Sequence, residues 1–160
     1  MLKSIRSWKN KRKHAMPKIL MVDDDDVLRR IYSRYLKEEG FEVLEASNGE
    51  QALLEFSKQK FDVILLDIRM PISNGQMLIP ALQQFHPHAK IIVSSCYDLD
   101  FQKEMIGDAE DYFNKSEGCR ALVSRIRHVL SEPRDKQSGE RIKIHRSVEG
   151  RALTVQKLRD

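Results

Sequence analysis

The sequence predicts a doubly wound α/β fold, a five-stranded parallel sheet with helices on both faces. Three observations carry that prediction. Between residues 18 and 130, short apolar runs alternate with helical patterns five times. Runs such as Ile64-Leu65-Leu66 are apolar without alternation, as expected of strands covered on both sides. The chain has 160 residues, 41% of them hydrophobic, enough for one packed domain with short extensions, and it shows no internal repeat.

The elements follow in order. Pro17 precedes a first strand over 18–23. Val27, Ile31 and Tyr35, with Leu28 and Leu36, then stand at helical spacing, and Gly40 supplies the stop. A second strand, 42–46, leads into Ser47-Asn-Gly-Glu50, which reads as a capping box with Ala52, Leu53 and Phe56 behind it. The third strand is placed at 61–66. A helix over 75–85 contains Pro80, which removes a hydrogen bond to the carbonyl of Gln76, so a late start or a kink is predicted. Strands at 90–95 and 111–114 come next. Leu122, Val123, Ile126 and Leu130 form the stripe of a last helix ending near Leu130, before Ser131-Glu-Pro133.

Charge is unevenly placed along the chain. The total is 28 Lys+Arg against 24 Asp+Glu, net +4. Residues 1–17 carry six basic side chains and no acid; residues 131–160 carry eight basic and five acidic ones. That leaves 14 basic and 19 acidic side chains in 18–130, a net of −5. The basicity belongs to the tails, so the overall charge is no argument for nucleic-acid binding by the core. No apolar run approaches the ~20 residues that cross a bilayer. The run Ile19–Val22 stops at four aspartates, so the basic start is not read as a signal peptide. Two cysteines, Cys96 and Cys119, are too few for a disulfide framework. They read as small packed residues in a reduced, cytoplasmic protein.

In open parallel sheets, ligands collect at the carboxyl ends of the strands. Here strand one ends in Asp23-Asp24-Asp25-Asp26, strand three in Asp67 and strand four in Ser94-Ser95, while Lys115 follows strand five. Carboxylates brought together from two neighbouring strands repel unless a cation separates them. A hard divalent ion that takes oxygen ligands and keeps several waters, Mg²⁺ above all, answers this. Its open positions suit a phosphoryl oxygen, and Lys115 and Ser95 are placed to neutralise and hydrogen-bond the others. Asp25 and Asp26 read as first-turn residues of the following helix.

These pieces resemble the receiver domain of two-component response regulators over essentially all of 18–130. They are Lys18-Ile-Leu-Met-Val-Asp23-Asp24, then Asp67-Ile-Arg-Met70-Pro71 with Asn74-Gly75. Ile91-Ile-Val-Ser-Ser95-Cys96 and Ala109-Glu-Asp-Tyr112-Phe-Asn-Lys115 complete the set. The resemblance implies a flavodoxin-like strand order, 2-1-3-4-5. It implies that Asp67 accepts a phosphoryl group from a histidine kinase or histidine phosphotransfer protein. Asp24 would bind Mg²⁺ directly and Asp23 mainly through water, with the backbone carbonyl of Arg69 as a further ligand. Lys115 pairs with the phosphoryl group. Ser95 and Tyr112 match the switch pair, whose aromatic ring turns inward as the hydroxyl moves, and Arg69 and Tyr97 match positions that tune the lifetime of the aspartyl phosphate. The downstream partner is a protein that the residues do not name. The whole is expected to be a stand-alone signalling module whose only chemistry is self-directed phosphotransfer and dephosphorylation.

The chain departs from the family pattern in places. Ser116 follows the lysine where the family usually has proline, which removes the usual reason for a cis peptide at 115–116. Asn74 replaces the usual acid before Gly75. The interval from Ser95 to Lys115 is short, so the fourth helix is expected to run only from Asp100 to Ile106.

A phosphatase of the haloacid-dehalogenase-like class is the contrasting reading, because Asp23-Asp-Asp25-Asp-Val27 also satisfies its nucleophile motif. It leaves Asp67-x-x-Met-Pro unexplained and the chain without room for a cap. A receiver that signals by constitutive binding, without phosphorylation, is the third reading. The five histidines show no metal-ligand spacing. In the tail 1–17, Leu2, Ile5 and Trp8 share a helical face that suits an anionic membrane, but a solvated extension is the favoured reading. The extension 131–160 is expected to be disordered or hairpin-like, and too short to hold a DNA-binding domain with its own core.

Overall fold

Every residue of the central strand is buried, which requires cover on both sides of the sheet. The computed structural model describes residues 16–70, 78–107 and 109–133. The readings of the two tails lie outside the described residues, as do Pro71, Asn74 and Gly75. The elements are β1 (Lys18–Val22), α1 (Asp26–Glu38), β2 (Glu42–Ala46), α2 (Gly49–Lys58), β3 (Val63–Asp67) and α3 (Ile79–Phe85). β4 (Lys90–Ser95), α4 (Leu99–Met105), β5 (Asp111–Asn114), a 3₁₀ turn at Lys115–Glu117 and α5 (Gly118–Ser131) complete the chain. The strands are parallel in the order 2-1-3-4-5, as expected.

Strand alternation sorts the apolar residues into two cores. Leu20, Val22, Ile64, Leu66, Ile91 and Val93 face α2, α3 and α4, where Ala52, Phe56, Ile79 and Leu82 meet them. Ile19, Met21, Val63, Leu65, Ile92 and Phe113 face α1 and α5, against Tyr32, Leu36, Leu122 and Ile126. The central strands therefore have no solvent face, and their polar side chains sit at strand ends.

Local signals fix the boundaries. Asp25 caps α1 by accepting from the amides of Val27 and Leu28, at 3.0 and 2.9 Å. At the other end Gly40 takes φ +89°, its N–H bonds Lys37 O at 3.1 Å, and the Phe41 N–H bonds Leu36 O at 3.1 Å. This pair of bonds is the Schellman stop, available at low cost only because Gly40 has no Cβ.

Several sequence expectations are corrected. β1 ends at Val22 and β3 runs from Val63 to Asp67, two residues later at its start than predicted, so Phe61 packs outside the strand. Val27 and Ile31 are 69% and 50% exposed; Tyr32 and Leu36 carry the inner face of α1 instead. Leu53 is likewise exposed, leaving Ala52 and Phe56 to anchor α2. The cap of α2 is Asn48, not Ser47: its side chain accepts from the Gln51 amide at 3.0 Å, while Gln51 Oε1 reaches back to the Ser47 N–H at 2.8 Å. Pro80 produces a late start rather than a kink, since it sits in the first turn of α3, where no intrahelical donor is needed. α4 is short as expected but begins at Leu99, with Asp98 as its cap. No cis peptide occurs among the described residues.

Ile64 is fully buried at the centre of the sheet. Ile64→Ala is expected to lower the unfolding free energy by about 2–5 kcal/mol in urea titration. Leu53→Ala, on the exposed side of α2, is expected to stay within about 0.5 kcal/mol.

Candidate functional site

Because the strands are parallel, the ends of β1, β3 and β5 bring their terminal residues to one edge of the sheet. Asp23 follows β1, Asp67 closes β3, and Lys115 follows β5. Lys115 Nζ lies 2.7 Å from Asp67 Oδ2 and 2.7 Å from Asp23 Oδ2, and the three side chains are nearly inaccessible to solvent. Asp24 is exposed and turns one carboxylate oxygen to the same place. Ligand oxygens of Asp23, Asp24 and Asp67 all fall within 4.8 Å of one another. These residues were found from strand-end chemistry, and the fold assembles them as a cluster.

The remaining carboxylate oxygens are held by backbone. Asp67 Oδ1 accepts from the Arg69 amide at 2.8 Å, and Asp23 Oδ1 accepts from the Asp25 amide at 3.0 Å. Burial pushes the Asp67 carboxyl above the usual carboxylate range, against the Lys115 ammonium and the Arg69 amide, which pull it down. For Lys115, burial disfavours the ammonium, yet the hydrogen bonds and charges of Asp23 and Asp67 prevail and raise its pKa. One lysine thus neutralises part of two carboxylates, and a third carboxylate stands beside them. An all-oxygen donor set with surplus negative charge fits a small hard dication such as Mg²⁺.

Ser95 ends β4, is buried, and accepts from the Tyr97 amide at 3.3 Å. Tyr112 lies on β5 opposite Val93, so by alternation it shares a face with Ser95, toward α4. Its ring is buried, and its hydroxyl donates to Ile106 O and accepts from the Ala109 amide at 3.4 Å. The ring therefore stands inside the α2–α4 core. Arg69 and Tyr97 meet at the rim: the guanidinium sits 5.6 Å from the ring centroid, and that ring packs on Phe101 at 4.5 Å. Asp25 is spent on capping α1, and Asp26 pairs with Arg29.

Four supporting residues escaped sequence reading. Arg29 donates to the backbone carbonyl of Asp23 at 2.7 Å and thereby braces the acidic turn from α1. Tyr32, buried on α1 and edge-on to Phe113 at 5.9 Å, donates to the carbonyl of Lys115 at 2.9 Å. Asn114 and Glu117 form a reciprocal cap around the turn that carries Lys115. Only the Asn-x-x-Glu spacing of the last pair was visible in advance. The other two act on backbone carbonyls, Arg29 locally and Tyr32 across the fold, and a carbonyl acceptor leaves no trace in sequence.

Comparison with known proteins agrees with this fold. The profile of the response regulator receiver domain matches residues 19–127. The transcriptional regulatory protein CpxR of Escherichia coli is 40% identical over 116 residues, covering 72% of this chain and 50% of that protein. AruR of Pseudomonas aeruginosa is 36% identical over 129 residues, covering 77% and 53%. The chain thus spans about half the length of these curated relatives. Among solved structures, the Vibrio cholerae chemotaxis protein CheY4 superposes with TM-score 0.67 at 28% identity, over 72% of this chain and 99% of that one. The Thermotoga maritima response regulator TrrA, solved with Mg²⁺ and BeF, gives TM-score 0.61 at 32% identity, over 71% and 99%. No described helix is long and apolar enough to cross a membrane.

The Tyr32 phenol is pushed up from near 10 to about 12, first by burial and then by neighbouring charges. Tyr32→Phe is expected to cost about 1 kcal/mol near neutral pH, because it leaves the Lys115 carbonyl short of a donor. Between pH 10 and 12 the unfolded phenol ionises while the folded one stays protonated, so stability from this group falls as pH rises. The difference between wild type and Tyr32→Phe should narrow and then change sign over that window in chemical denaturation.

Proposed function

This chain belongs to the response regulator receiver family of two-component systems, and we propose that Asp67 is its phosphoacceptor. On this reading, residues 18–130 form a cytoplasmic signalling module that takes a phosphoryl group from a histidine kinase or histidine phosphotransfer protein. The observation that carries it is Lys115 Nζ at 2.7 Å from both Asp23 and Asp67, beside Asp24, at the carboxyl edge of the sheet. A carboxylate oxygen of Asp67 attacks the phosphorus of a phosphohistidine. A P–O bond forms as the P–N bond breaks, and the imidazole nitrogen keeps the electron pair and takes up a proton.

Each neighbour has a physical part in that step. The Arg69 amide holds one Asp67 oxygen at 2.8 Å, which leaves the other as the one Lys115 steers. Lys115 offsets charge in the acceptor and then pairs with the phosphoryl oxygens, where burial strengthens its pull. Asp23, Asp24, Asp67 and the Arg69 carbonyl would hold Mg²⁺, whose charge when bound screens carboxylate from phosphoryl oxygen. Ser95 offers a hydroxyl to the new oxygens, and Tyr112 on the same face responds to its movement. The Arg69–Tyr97 stack at the rim controls access of water and so the lifetime of the adduct.

Acetyl phosphate with Mg²⁺, followed by intact mass measurement, should show the addition of one phosphoryl group, and no adduct should form when EDTA is present from the start. Asp67→Asn should abolish the adduct. Lys115→Met should slow its formation by about 10²-fold, as expected for loss of one buried charge partner. An adduct mapped to Asp23, or turnover of external phosphate esters, would establish the phosphatase reading instead; no adduct in a folded protein would establish signalling by binding alone.

A further inference from the structure

Gln102 is 0% exposed, on a seven-residue helix whose neighbours Leu99, Met105 and Ile106 pack on the core. Glutamine is seldom buried so fully. Its Nε2 donates to the carbonyl of Tyr97 at 2.8 Å and to that of Phe113 at 3.2 Å. Two carbonyl acceptors fix which end of the amide points inward. Its Oε1 is buried without a hydrogen-bond partner among the described residues, a cost that an apolar side chain at this position would not carry.

The same Tyr97 carbonyl accepts a second amide, Asn114 Nδ2 at 2.9 Å. Asn114 Oδ1 in turn accepts from the Ser116 amide at 2.9 Å and the Ser116 hydroxyl at 2.7 Å, and the Asn114 N–H bonds Glu117 Oε1 at 3.1 Å. Tyr97 is therefore gripped at both ends of its backbone. Its N–H goes to Ser95 Oγ, and its C=O goes to two amides, one from α4 and one from the turn that carries Lys115.

We propose that Gln102 and Asn114 are a positioning pair that joins the Ser95–Tyr97 segment, α4 and the Lys115 turn into one unit around the acceptor. A displacement of Ser95 or of Lys115 pulls on the Tyr97 carbonyl, and through Gln102 it pulls on α4. The path is hydrogen-bonded throughout and separate from the Tyr112 ring, which bonds Ile106 O instead. Its use as a relay rests on Asp67 being the phosphoacceptor, while the mechanical link does not.

Hydrogen exchange read by mass spectrometry tests the two parts separately. Asn114→Asp keeps the acceptor for the Ser116 turn, removes the donor to Tyr97 and sets a carboxylate oxygen in its place. In the unmodified protein it should speed exchange across residues 99–106 by about fivefold or more, although no hydrogen bond joins Asn114 to α4. Exchange in 99–106 equal to wild type would overturn the proposal, whatever the phosphorylation chemistry. With acetyl phosphate and Mg²⁺, wild type should show altered exchange in 99–106, and Gln102→Met and Asn114→Asp should lose that response while still forming the Asp67 adduct. A full response in either adduct-bearing variant would overturn the relay. Absence of any adduct in wild type would sink the phosphoacceptor reading and leave the exchange result on Asn114→Asp to decide the link. Should Gln102→Met fail to melt cooperatively, Asn114→Asp decides both.

Discussion

The structure turns on keeping two carboxylates buried within reach of one ammonium. Asp23 and Asp67 are forced together because β1 and β3 are adjacent parallel strands that end at the same edge. Both face the α1–α5 side, where apolar side chains exclude water and amplify every charge. Lys115 meets the two anions but not the third, Asp24. The residual negative charge is the property that makes this edge receptive to a cation.

Much of the surrounding architecture serves to hold that arrangement in register. Arg29 and Tyr32, one turn apart on α1, fix the backbone carbonyls of Asp23 and Lys115. The Asp25 side chain caps α1 while its amide orients Asp23, so one short turn both starts a helix and aims a carboxylate. The Asn114–Glu117 cap holds the Lys115 turn with hydrogen bonds, where Ser116 offers an N–H that a proline would lack.

The other face of the sheet packs on α2, α3 and α4. Ser95, Tyr112 and the short α4 lie there, joined by polar contacts to backbone rather than by a thick apolar interface. α4 has only seven residues and one fully buried side chain, the amide of Gln102. An element held by so few contacts is easily biased by events at its edge. The chain therefore combines membership of the receiver family with a short α4 tethered by the Gln102 amide.

The sequence by itself determined the fold class, the two-sided cover of the sheet and the cluster of Asp23, Asp24, Asp67 and Lys115. Period and strand-end position are local properties of the chain, so pattern alone reveals them. Which side of α1 faces inward was not legible. Val27 and Ile31 are as apolar as the residues that are buried, and only the position of Phe113 and α5 selects Tyr32 and Leu36. Arg29, Tyr32, Gln102 and the Tyr97 carbonyl were decided by tertiary structure for the same reason. A hydrogen bond from a side chain to a backbone carbonyl depends on no residue type at the acceptor, so nothing in the sequence marks it until the chain has folded.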